Sequence, residues 1–123
     1  EIETHLEQKG QKTKRLEQAE KATLVVKINV KESADYAMIE VPIPAGCSYG
    51  SKANFRRFPE VHREYFREKT SIFCEDLPVG EYEFKIDLEP RFTGNYTLNP
   101  AKVEQMYFPV FYGRNKLKKV KID

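Results

Sequence analysis

Between Gly80 and Pro90 apolar and polar residues alternate almost without a break. Tyr82, Phe84, Ile86 and Leu88 share one face; Glu81, Glu83, Lys85, Asp87 and Glu89 share the other. A period of two is what a half-buried antiparallel strand requires, with one face on a core and one in water. The same period runs over residues 22 to 31, where Leu24, Val26, Ile28 and Val30 oppose Thr23, Lys27, Asn29 and Lys31, and Val25 is the exception. In YAMIEVPI, Ile39, Val41 and Ile43 share a face, and Pro42 and Pro44 mark the strand's end or an edge position.

The remaining segments are shorter. Ile2, Thr4 and Leu6 predict an edge strand, followed by a turn at Gly10 and a second short strand near Leu16. QKTKRLEQAEK contains good helix formers, but too few apolar residues to bury a helix face. Gly46 to Ser51 reads as a loop. After Pro59, Val61 to Arg67 and Thr70 to Asp76 predict two strands joined near Glu68-Lys69, with Phe73 and Leu77 on one face. A turn at Thr93-Gly94-Asn95 leads to a short strand with Tyr96 and Leu98, and a Pro-led segment carries Met106-Tyr107 towards Pro109 and Gly113. A basic loop from Gly113 to Lys119 precedes a last strand around Val120 and Ile122. Roughly eight to ten short strands with turn signals about every 8–12 residues predict an all-β, antiparallel β-sandwich.

At 123 residues the chain is expected to be one domain, 1–123, with a single core. It begins at Glu1 with strand-like sequence and no initiator Met or signal peptide, and so reads as a domain excised from a larger protein. Eight Phe and seven Tyr suit sheets. A net charge of +2 gives no overall pull towards nucleic acid or a membrane surface, and no apolar run approaches the ~20 residues of a membrane span. Cys47 and Cys74 are too few for a disulfide scaffold and are expected to be free and partly buried, although an oxidising compartment would permit a bridge.

Candidate chemistry is thin. His62 has Glu64 two residues on, but neither HExxH nor a third ligand accompanies it, so it reads as a surface histidine beside an acid, and no metal site is expected. His5 is isolated. Ser48, Ser51 and Ser71 lack a nucleophile-elbow context, and Gly46 and Gly50 do not form a phosphate loop. Leu6-Glu7-Gln8 matches part of a thioester motif, but His5 stands where the cysteine would be. The carboxylates at 81, 83, 87 and 89 fall on the wet face, where they discourage edge pairing rather than form a glycosidase pair. Arg56, Arg57, Arg63 and Arg67 interleave with Phe55, Phe58, Tyr65 and Phe66. The neighbouring Glu60, Glu64 and Glu68 make these surface ion pairs rather than a nucleic-acid platform. No catalytic residue and no cofactor is expected.

Three blocks carry a resemblance: DYAMIEVPIPAG, HREYFREKTSIFCEDLPVGEYEFKIDL and GNYTLNPAKVEQMYFPVFYGR. In this order and spacing, over about residues 20 to 114, the chain resembles the last macroglobulin-like domain of bacterial α2-macroglobulins. Val41 stands where the family's EDPLPAG has Asp, Glu89 where it usually has Arg, and Thr93 where it has Pro. The resemblance implies a macroglobulin-like, immunoglobulin-like sandwich without enzymatic activity, from a periplasmic or cell-envelope parent that is often a lipoprotein. Such parents entrap target proteases that cut a bait region, and a Cys-Gln thioester in a separate domain can then react with the attacker. It further implies packing against the thioester domain and other macroglobulin-like domains of the same parent. The family's Met-Tyr pair, which shields the thioester from water, falls on Met106 and Tyr107. The other function open to such a chain is a carbohydrate- or adhesin-type binding sandwich using Phe55 to Arg67 as its surface.

Overall fold

The computed structural model describes residues 2–52, 58–105, 111–114 and 117–123. They form thirteen strands and, among themselves, no helix. In chain order these are β1 (Ile2–Gln8), β2 (Gln11–Thr13), β3 (Arg15–Leu16), β4 (Ala22–Val30), β5 (Ala34–Pro42), β6 (Cys47–Tyr49), β7 (Glu60–Tyr65), β8 (Lys69–Leu77), β9 (Gly80–Pro90), β10 (Gly94–Leu98), β11 (Lys102–Gln105), β12 (Phe111–Arg114) and β13 (Lys118–Ile122). One five-stranded sheet runs β2-β1-β4-β9-β6 and a second β12-β11-β5-β8-β7. A small third sheet, β10-β13-β3, contains the parallel pair β13–β3. The fold is the expected antiparallel sandwich, with more and shorter strands than the turn signals indicate.

Its core follows from the alternation. Leu24, Val26 and Ile28 of β4 and Phe84, Ile86 and Leu88 of β9 meet Ala37, Ile39 and Val41 of β5 and Ile72 and Cys74 of β8 in one cluster. Leu16, Leu98, Val120 and Ile122 join that cluster from the third sheet. Each fully buried aliphatic side chain stabilises the sandwich by about 1.5–3 kcal/mol. Glu81, Glu83 and Lys85 are exposed on the opposite face of β9, as their period demands.

Four local expectations are corrected. β1 is not an edge strand, because β2 pairs beyond it through Leu6–Thr13 to Gln8–Gln11. Cys47, Ser48 and Tyr49 are not loop but the short strand β6, paired with Leu88 to Pro90. Gly113 and Arg114 close β12 rather than open a loop, and Lys118 already belongs to β13. Phe73 and Leu77 do not share a face: Leu77 is in the core, whereas Phe73 stacks on His62 outside it. Alternation from Ala37 would turn Ala34 outwards, yet Ala34 and its partner Leu77 are both buried. Between them Tyr36 adopts φ 52°, uncommon for a non-glycine residue, and the strand's facing shifts there.

Val25, the exception in β4, is fully buried outside the main cluster. Its ladder partners are His5 and Lys85. Cys47 and Cys74 are both free and more buried than expected. Burial pushes their thiols up to about 11 and about 12, so both behave as small apolar residues.

Candidate interdomain surface

β11 and β12 pair antiparallel with a register shift between Val103 and Glu104, and residues 106–110 connect them. Met106 and Tyr107 therefore fall in that connection and lie outside the described residues, as do Phe55, Arg56 and Arg57. What the structure does describe is the sheet beside the connection. β11 pairs with β5 through Gln105–Ala37 and Glu104–Met38, and the ladder continues from Met38 to Phe73 and His62. The outer face thus carries a row of Glu104, Met38, Phe73 and His62. The His62 and Phe73 rings stack at 5.7 Å and 27°.

The next row is electrostatic. Glu40 lies 3.2 Å from both Lys69 Nζ and Lys102 Nζ. Burial pushes its carboxyl up, but the two ammonium groups outweigh this and hold it below its ordinary value. The Glu of the EVPIPAG segment thus clamps β8 and β11 onto β5. The end of the same segment is steric. A Cβ on Gly46 would lie 2.9 Å from Tyr96 Oη and closer still to the ring, so only glycine fits against that tyrosine. The Gly46 carbonyl also accepts from the backbone N–H groups of Arg91 and Phe92 at 2.9 and 3.2 Å.

Sequence reasoning missed the buried polar centre. Glu60 and Arg63, expected as surface charges, have side chains only 4% and 3% exposed. Arg63 donates through Nε and Nη2 to the two Glu60 oxygens, both at 2.8 Å, and through Nη1 to the Lys85 carbonyl at 2.7 Å and Tyr65 Oη at 3.3 Å. The ladder geometry explains why. β6 reaches only Leu88 to Pro90, with Gly50 N bonding the Asp87 carbonyl just beyond, so the next outward carbonyl of β9 takes a side-chain donor instead of a strand. Arg63 closes the sandwich between β7 and β9. Tyr49 packs edge-on to Tyr65 at 5.0 Å and donates to the Phe66 carbonyl at 2.6 Å. A Glu three residues before an Arg gives no hint of burial, because a one-residue irregularity between Glu60 and His62 resets the facing.

The histidines have local partners. His62 Nε2 lies 3.4 Å from Glu64, both about half exposed, and His5 Nε2 lies 2.7 Å from Glu7. The carboxylates of β9 remain spread along the outer face of the first sheet.

A sequence profile of the bacterial alpha-2-macroglobulin MG10 domain matches residues 2–109. The chain belongs to that family. No curated protein sequence matches it. By structure, the MG10 fold here is similar to a Salmonella alpha-2-macroglobulin mutant in which a tyrosine is replaced by glycine, with a TM-score of 0.84, 14% identity and coverage of 98% of this chain and 9% of that one. An Escherichia coli alpha-2-macroglobulin fragment from domain MG7 to the C-terminus gives a TM-score of 0.82 at 14% identity, covering 99% of this chain and 23% of that one. A cohesin module of a Clostridium perfringens family 33 glycoside hydrolase gives 0.59 at 12% identity, covering 99% and 96%. These structural likenesses concern the fold. The chain spans a small part of the alpha-2-macroglobulins it matches.

Proposed function

We propose that this MG10 domain is a non-catalytic part of an alpha-2-macroglobulin-type protease inhibitor of the bacterial cell envelope, packed against its parent's thioester domain with Met106 and Tyr107 covering the thioester. The observation that carries the reading is the family match, which extends through residue 109 and so includes both residues. The physical requirement supports it. A thioester persists in water only where water is excluded, and a thioether beside a phenol makes an apolar cover with one polar handle. The packed core and the ladder that holds β11 on β5 give the connection after Gln105 a rigid base.

The test uses the full-length parent carrying its thioester. Met106→Ala with Tyr107→Ala is expected to speed reaction with methylamine, the reagent with which one Salmonella alpha-2-macroglobulin was reacted for its structure. Unchanged reactivity removes the shielding role. A carbohydrate- or adhesin-type binding module is the second reading, favoured by the cohesin likeness alone. Saturable polysaccharide binding by the 123-residue chain would support it.

A further inference from the structure

The near-neutral net charge conceals a strong local asymmetry. β2, β3 and β13 bring Lys12, Lys14, Arg15, Lys119 and Lys121 to one side of the molecule, although the sequence holds them about a hundred residues apart. Pairing is responsible: Lys121 lies in register with Arg15, and Lys121 N donates to the Lys14 carbonyl at 3.0 Å. Two adjoining clefts share Lys14, Lys119 and Val120 in their walls. The first, about 210 Å³, is floored by Leu6, Leu98 and Val120 and crossed by Lys118, whose Nζ donates to the Thr4 carbonyl. Among the described residues no carboxylate lines either cleft, although Asp123 lies 3.4 Å from Lys121 Nζ and Glu7 stands in register with Lys12; Lys14, Arg15 and Lys119 carry the ridge's net positive charge. Leu117, next to the crossing lysine, is 54% exposed.

We propose that this ridge is a docking surface for an anionic phospholipid bilayer. The lysines and Arg15 lie against the headgroup phosphates and Leu117 enters the interfacial region. Charge complementarity selects an anionic partner, and an exposed leucine two residues before Lys119 adds an apolar element that suits a lipid surface better than a soluble polyanion. Nucleic acid would use stacking aromatics. The Tyr96 ring, the aromatic beside the second cleft, is already packed on Gly46, with its hydroxyl on the Thr93 carbonyl at 3.3 Å. The contact is peripheral, with no spanning element, and is independent of the thioester reading.

Co-sedimentation of the 123-residue chain with phosphatidylglycerol-containing vesicles tests it, with pure phosphatidylcholine vesicles and a single-stranded oligonucleotide as the other arms. Binding is expected to the anionic vesicles only and to weaken with added salt. Each basic residue near such a surface contributes about fivefold to partitioning. Lys12→Gln, Lys14→Gln and Lys119→Gln together should therefore weaken it about a hundredfold. Lys21→Gln, Lys27→Gln and Lys31→Gln, which change the net charge equally away from the ridge, should leave binding nearly intact. Leu117→Ser should weaken it severalfold. Absence of binding, equal loss in the two triple variants, no effect of Leu117→Ser, or tighter binding to the oligonucleotide than to the vesicles would each overturn the proposal.

Discussion

Replacing Glu60 by Leu removes the carboxylate that meets the buried Arg63 guanidinium at 2.8 Å through two nitrogens. An arginine cannot shed its proton to escape burial, so a side chain 3% exposed is left charged, with the Lys85 carbonyl and Tyr65 hydroxyl among its remaining partners. Removing one member of a buried pair costs about 3–5 kcal/mol. For a domain of this size that corresponds to a fall in Tm of about 10–20 °C. The double variant Glu60→Leu with Arg63→Met removes both charges and leaves the Lys85 carbonyl without its side-chain donor, a cost of about 1–3 kcal/mol. The single variant is therefore expected to be less stable than the double. Urea unfolding monitored by tyrosine fluorescence and by far-ultraviolet circular dichroism gives all four corners of the cycle. A single-variant cost under about 1 kcal/mol, or a double variant as unstable as the two singles summed, would show that the pair is not desolvated and refute the argument.

Two further outcomes concern the EVPIPAG segment. Glu40 is held below its ordinary value of 4.5, so the folded chain binds its proton less readily than the unfolded one. Its contribution is complete above pH 4.5 and is lost as pH falls through the lower folded value. Glu40→Gln should flatten that part of the stability profile, measured as urea midpoints on either side of pH 4.5; an unaltered profile contradicts the clamp. Gly46→Ala should destabilise by about 1–3 kcal/mol by driving a methyl into the Tyr96 ring, and Tyr96→Ala in the same chain should relieve most of that clash, read by thermal denaturation.

Wherever the period of two persists over several residues, the sequence reveals the structure. β4 and β9 are legible residue by residue, since a one-residue slip would turn Leu24 or Ile86 into water. Legibility fails where the period is interrupted. The positive φ at Tyr36 and the irregularity at Glu60 each change the facing of the adjoining strand residues, and nothing in residue type announces either. The three-residue β6 is too short to show a period, and its pairing is fixed by β9 rather than by its own residues. The basic ridge is legible only in part: the lysines crowded at 116, 118, 119 and 121 show in the sequence, but their union with Lys12, Lys14 and Arg15 comes from the parallel pairing of β3 with β13. Met106 and Tyr107 stand out through family likeness alone, because no local pattern marks them.

That parallel pairing also fixes an order of events during synthesis. Thr4 and Lys118, which meet across the first cleft, are 114 residues apart in the chain. β9 is complete at Pro90, and at about 5–20 residues per second the stretch from there to Ile122 takes on the order of 2–6 seconds to translate. Until then Leu16 and Leu98 lack Val120 and Ile122, the neighbours that complete their side of the core. The sandwich can assemble around β4, β5, β8 and β9 while this flank stays open. Until β13 docks, this flank of the core is an open apolar seam, and the third sheet is what seals it.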